Sequence, residues 1–177
     1  TGLAEATVYG TDFSDAFLTG IVLSGADING ASFNGASARA ALFDGASLIH
    51  VDLENADMKG ADLSGAWIEC ADADNSTILD EATMSGVFIV DTFCNGFGAT
   101  MRDADITNGD LQYANIDNAV YHRSNFEGTL FSEDRPDTWL DWGIRGADEM
   151  NGNPEPGFFT SEKLVEFVRA KAISQNY

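Results

Sequence analysis

The sequence has few of the residues that break a chain and few positive charges. Three prolines in 177 residues, with 44% of the residues hydrophobic, exclude a Pro-rich or disordered chain. Lys and Arg number 9 against 29 Asp and Glu, a formal net charge of −20. Phosphate contacts need basic side chains, so direct nucleic-acid binding is excluded as a role. Such a charge suits partners with positive surfaces or metal ions, and it also serves solubility. The sequence has no run of about 18 apolar residues, which excludes a membrane-spanning helix. Two cysteines say little about redox compartment. An initiator Met and a signal segment are both absent. The chain opens on Thr1, so we expect that it has been processed or that residues precede it.

What the sequence does have is a period of five. In "GADLSGAWIECADAD", residues 60–74, Ala recurs at 61, 66 and 71, with Leu63, Ile68 and Ala73 two residues after each. A helix would repeat its apolar face every three or four residues and a half-buried strand every two, so the pattern is an internal repeat. It runs unbroken from Thr1 to Asp80 as sixteen units, ending in the pair Ser76/Ile78, and no polar residue stands third in any unit. The frame slips by one at Glu81 and resumes with Ala82/Met84, Val87/Ile89 and Thr92/Cys94. A second slip, at Phe97–Gly98, precedes seven more pairs from Ala99/Met101 to Thr129/Phe131, for 26 units in all.

The units "ADLSG", "ADMKG", "ADING", "ADITN" and "ANIDN" closely resemble the A-(D/N)-L-x-x repeat of the pentapeptide-repeat family, and the resemblance covers residues 1–133. It implies an all-β solenoid, a right-handed quadrilateral parallel β-helix with four units to each coil. The first and third residues of a unit then point inward, and the first must be small because a narrow coil has room for one large side chain per face. Coils stack like parallel strands, so 26 units make a rod of roughly 30 Å. Each slip is expected to be a bulge or a short outward loop.

Residues 134–177 form a second region, a Pro/Gly-rich connector and a C-terminal helix. "TSEKLVEFVRAKAI" offers Thr160 or Ser161 as N-cap and Glu162 in the first turn, with Leu164, Phe167, Val168 and Ala172 on one face. Such a helix is expected to cap the last coil, with dimerisation as the rival role. The first coil has no cap in the sequence, so upstream residues or another chain are expected to cover it.

Nothing in the sequence looks catalytic, and no cofactor or metal site is expected. His50 and His122 fall on different faces, and "DNSTILDE" lacks the Gly and the final Glu of a calcium loop. Asp52 and Asp72, four units apart, are expected to stack on one face, bonding turn backbone and facing water rather than holding a cation. Cys94 stands third in its unit and Cys70 last, on neighbouring faces, so both thiols are expected to be free. The informative residues are apolar side chains at the second, outward position of a unit. Trp67 and Phe88 should stack on one face, Val22 and Leu42 on another, with Phe17 and Phe93 as further exceptions. With Trp139 and Trp142 of the tail, these are the candidate partner contacts.

These readings predict a non-enzymatic scaffold with a protein partner. The resemblance implies two roles. One is that of the thylakoid-lumenal members of plastids and cyanobacteria, an accessory subunit peripheral to a photosynthetic membrane complex, which the missing Met, the acidity and the short helical tail match. The alternative is cytoplasmic: an acidic DNA mimic binding a topoisomerase such as gyrase, dimerising through its C-terminal end.

Overall fold

The computed structural model describes residues 2–74, 76–90 and 98–114, with positions 119, 124, 125 and 129. The chain winds as a four-sided parallel β-helix, and each side is built from units four apart. Face one aligns Gly2, Val22, Leu42, Asp62, Thr83, Asp105 and Asn125 through parallel bridges. Face two is one parallel sheet of β1 (Asp27–Asn29), β2 (Ser47–Ile49), β3 (Trp67–Glu69), β4 (Phe88–Val90) and β5 (Asp110–Tyr113), in chain order. Face three aligns Asp12, Ser32, Asp52 and Asp72, and face four Phe17, Ser37, Asp57, Ile78 and Thr100.

The five-residue period follows from how a unit closes. At most corners the amide of the first residue bonds back to the carbonyl of the third residue before it, as in Ala26 to Leu23 at 3.0 Å and Ala36 to Phe33 at 2.9 Å. That tight turn needs a left-handed residue at the end of the unit, which Gly supplies at least cost. At Gly35, φ is +68° and an added Cβ would lie 2.5 Å from Asp15 Oδ1 on the coil below. The outward amides then bond between coils, as in Leu42 to Ile21 at 2.8 Å and Leu23 to Leu42 at 2.7 Å.

Inward, the small first residues and large third residues fill the bore with no exposed surface: Ala26, Ala36, Ala46 and Ala56 alternate with Ile28, Leu48 and Leu63. Phe13 and Phe33 stack at 5.0 Å between ring centres, and Phe33 meets Phe43 edge-on at 5.8 Å. Offset-stacked and edge-to-face contacts at these distances are the favoured aromatic geometries.

The first slip lies elsewhere than the spacing suggests. Thr77 and Leu79 are the buried pair, not Ser76 and Ile78; Ile78 points outward in register with Asp57 and Thr100. The extra residue falls between Ala73 and Thr77, ahead of Glu81. There Asp74 accepts the Ser76 amide at 3.0 Å and its hydroxyl as well, and the Thr77 amide bonds the Asp74 carbonyl at 3.0 Å. The Ser76 hydroxyl bond holds the Asp74 carboxyl below its ordinary value. A polar residue enters the bore because the Thr77 hydroxyl donates to the Leu53 carbonyl at 2.7 Å. The insertion lengthens each coil that spans it by one residue, so Asp57 faces Ile78 and Trp67 faces Phe88. The later pairs follow the expected frame, with Ala99, Met101, Ala104, Ile106 and Leu111 buried. The connector, the C-terminal helix, Phe93, Cys94, Trp139 and Trp142 lie outside the described residues.

Candidate functional site

Along a unit, side chains two apart point to the same side, so the second and fourth residues of each unit on face two project outward. In β3 these are Trp67 and Glu69; in β4, Phe88 and Val90; in β2, Ser47 and Ile49. Trp67 and Phe88 are paired by the ladder, and their rings lie 4.4 Å apart at an interplanar angle of 31°. The indole N–H donates to Glu69 Oε2 at 3.0 Å. Despite both contacts, Trp67 remains 45% exposed. Glu69 stands between Ile49 and Val90 in the same register, so two aliphatic side chains flank its carboxylate.

Val22 and Leu42 meet on face one, as the spacing predicts, with Leu42 exposed and Val22 half-buried. Phe17 stands apart: it heads face four next to Ser37 and is 94% exposed. Ile49, Val90 and Ile78 are outward apolar residues that the second-position rule passes over. For Ile49 and Val90 the missed signal is an aliphatic residue at the fourth position of the very column that holds Trp67 and Phe88.

Charge is sorted by face. Among the described residues, the three basic side chains, Arg39, Lys59 and Arg102, all lie along face four, where Gly20 bonds the Arg39 carbonyl, Ala40 that of Lys59 and Glu81 that of Arg102. They pair with Asp57 at 2.6 Å, Glu81 at 2.9 Å and Asp80 at 3.2 Å. The Glu81 hydrogen bond and charge raise the Lys59 pKa. The other three faces hold acidic side chains and no Lys or Arg among the described residues. Many of these carboxylates brace their own turns, as expected: Asp12 accepts the Ser14 amide at 2.9 Å, Asp52 that of Glu54 at 2.9 Å, and Asp62 that of Ser64 at 2.9 Å. The Ser14 bonds lower the Asp12 pKa. Asp52 and Asp72 do stack on face three. No group of three or more His, Cys, Asp or Glu that could hold a metal ion occurs among the described residues.

The expectation of two free thiols is overturned: Cys70 is disulfide-bonded. Cys70 closes the β3 unit with φ at 48°, and its amide bonds the Val90 carbonyl at 3.0 Å. It therefore sits one coil below Val90; the chain's other cysteine, Cys94, follows four residues later in the sequence. A sequence frame that slips nearby gives Cys94 no fixed face, which is why face-counting misjudged the pair.

The fold and its sorted surface define a class, the four-sided parallel β-solenoid with charged and apolar columns along its faces. The family model for pentapeptide repeats matches in eight copies over residues 3–37 and 39–78. No curated protein matches the sequence. Among solved structures, the chain is similar to HetL, a pentapeptide repeat protein involved in heterocyst differentiation regulation in the cyanobacterium Nostoc sp. strain PCC 7120. Identity is 25% and the TM-score 0.50, over 74% of this chain and 60% of HetL. The chain thus spans less than two thirds of that relative. A pentapeptide repeat protein from the Arabidopsis thaliana thylakoid lumen matches at 21% identity and TM-score 0.35, over 97% of this chain and 90% of its own. A trypsin-treated form of QnrB1, a plasmid-mediated fluoroquinolone resistance protein, matches at 16% and 0.28, over 80% and 88%. Over those repeats the chain carries the sequence pattern of pentapeptide-repeat proteins, and its coil is the right-handed β-helix that such repeats form.

Proposed function

We propose that the chain is a non-enzymatic protein-binding scaffold, serving as an accessory subunit on the lumenal side of a photosynthetic membrane complex. The Trp67–Phe88 stack carries the binding reading. Neither ring fills the bore, yet both sit where apolar surface is favourable only when something covers it. The disulfide at Cys70 supports an oxidising compartment, because cytosolic thiols are kept reduced. No helix among the described residues is long and apolar enough to cross a membrane. The test replaces both rings, Trp67→Ser with Phe88→Ser. Detergent-solubilised photosynthetic complexes should retain the unaltered protein and lose the double variant, with the same circular dichroism for both. Retention of both forms would remove the pair from the interface.

A second reading, an acidic mimic of DNA that binds a topoisomerase such as gyrase, draws on face three. There Asp12, Asp52 and Asp72 share one column, and no base interrupts it among the described residues. Affinity carried by such a column falls steeply with salt. Potent inhibition of gyrase supercoiling, with absence from photosynthetic complexes, would sink the lumenal reading.

A further inference from the structure

Face two has an asymmetry that names what covers it. Trp67 is stacked on one side by Phe88, but its neighbour in register on the other side is Ser47, and beyond Ser47 stands Asp27. A serine is too small to cover an indole, so the ring keeps an open face toward β2, consistent with its 45% exposure. Carboxylates stand on both flanks of that opening. Glu69 is fixed beside the ring by the indole N–H through Oε2, which leaves Oε1 to accept a further donor. Asp27 takes the Tyr9 hydroxyl at 2.6 Å, which raises the Tyr9 pKa. Neither carboxylate meets a basic side chain in the described structure; the ion pairs there all lie along face four. Ile49 and Val90 complete the surround as aliphatic shoulders on either side of Glu69.

An aromatic face with a carboxylate held at its edge matches a guanidinium. The planar cation stacks on the indole while its fork of N–H donors reaches the carboxylate. Resting on the protein-binding reading above, we propose that face two docks a cationic, amphipathic segment of a partner protein. Its arginine lies over Ser47 against Trp67 and pairs with Glu69, and its apolar side chains seat on Ile49, Phe88 and Val90. An anionic membrane or nucleic acid would be repelled by the same carboxylates. Among the described residues, a second copy offers Lys and Arg only along face four, where each is already paired.

The probe is a fluorescein-labelled synthetic peptide of about ten alternating Leu and Arg residues, long enough to cross the stacked coils, read by fluorescence anisotropy. A matched peptide with Glu for Arg is the control. The Arg peptide should bind saturably and the Glu peptide should not. Trp67→Ser and Glu69→Gln should each weaken binding about tenfold, the scale of a lost cation–aromatic or charged hydrogen-bond contact. Asp52→Asn, on face three, should change it by less than about twofold, since generic attraction to an acidic rod is screened and long-ranged. The Glu69→Gln variant preserves shape, and circular dichroism matching the unaltered protein separates its loss of binding from a folding defect. Absence of saturable binding, or equal weakening by Asp52→Asn, overturns the proposal. Loss of complex association on replacing Trp67 and Phe88, without any effect on the peptide, would fell this inference and leave the scaffold reading standing. Peptide binding that depends on Trp67 and Glu69, with no complex association, would do the reverse.

Discussion

Thr77 decides the frame in the middle of the solenoid, through one hydroxyl. A polar group in the bore costs about 1–3 kcal/mol if left unbonded, and Thr77 avoids this by donating to the Leu53 carbonyl. Ser124 and Thr129 use the same device toward the Met101 and Ile106 carbonyls of the coil below. A hydroxyl at the first position of a unit is therefore compatible with burial. Once that is allowed, Thr77/Leu79 competes on equal terms with Ser76/Ile78. The Asp74–Ser76 turn settles the choice by giving the extra residue a hydrogen-bonded place outside. Leu79→Ala should then cost about 2–5 kcal/mol, the range for emptying a filled core site. Ile78→Ser should stay within about 1 kcal/mol, as for a surface change. Urea-unfolding midpoints of the two variants check this, and a larger loss from Ile78→Ser would restore the frame read from spacing alone.

At the scale of the coil, most of the fold was legible because one rule repeats. Five-residue spacing, a small first residue and an apolar third residue specify inward and outward without any long-range information. The same rule placed Trp67 against Phe88 and Val22 against Leu42 once four units were taken per coil. What was not legible lies where the rule lapses. Frame-counting cannot say which of several residues is extruded at a slip, since that depends on local hydrogen bonds such as those of Asp74. It passes over Ile49 and Val90, because their fourth position is polar in the consensus-like units. It also failed at Cys70, which is disulfide-bonded although the frame set the two cysteines on neighbouring faces. The coil that follows Ile78 takes 22 residues to reach Thr100, so a separation that looks like a miss in five-residue steps becomes a contact. Alkylation of the denatured, unreduced protein should accordingly find no reactive thiol, and prior reduction should expose both. A thiol that reacts without reduction would return Cys70 to the free state.

Over the whole molecule, the sorting of charge sets how the rod responds to its medium. Coils repeat about every 4.8 Å, so carboxylates stacked along one face lie well inside the Debye length, about 8 Å at 0.15 M salt. On face three Asp52 and Asp72 occupy adjacent coils, and folding forces them together whereas an unfolded chain lets them separate. Face four works the other way: its three ion pairs are attractive and lose strength as salt rises. Those pairs are exposed, with basic side chains 58%, 44% and 46% accessible, and exposed pairs contribute about 0–1 kcal/mol each. Repulsion spread along three faces of a chain with formal charge −20 outweighs them. Raising sodium chloride from about 0.01 M to about 0.15 M should therefore raise the melting temperature, by roughly 2–4 °C for each kcal/mol of repulsion screened. Asp52→Asn keeps an oxygen to accept the Glu54 amide while removing one stacked charge, so it should flatten that salt dependence. Thermal melts by circular dichroism across the salt series decide between the two terms. A melting temperature that falls with salt would mean that the paired face, and not the acidic ones, governs the stability of the rod.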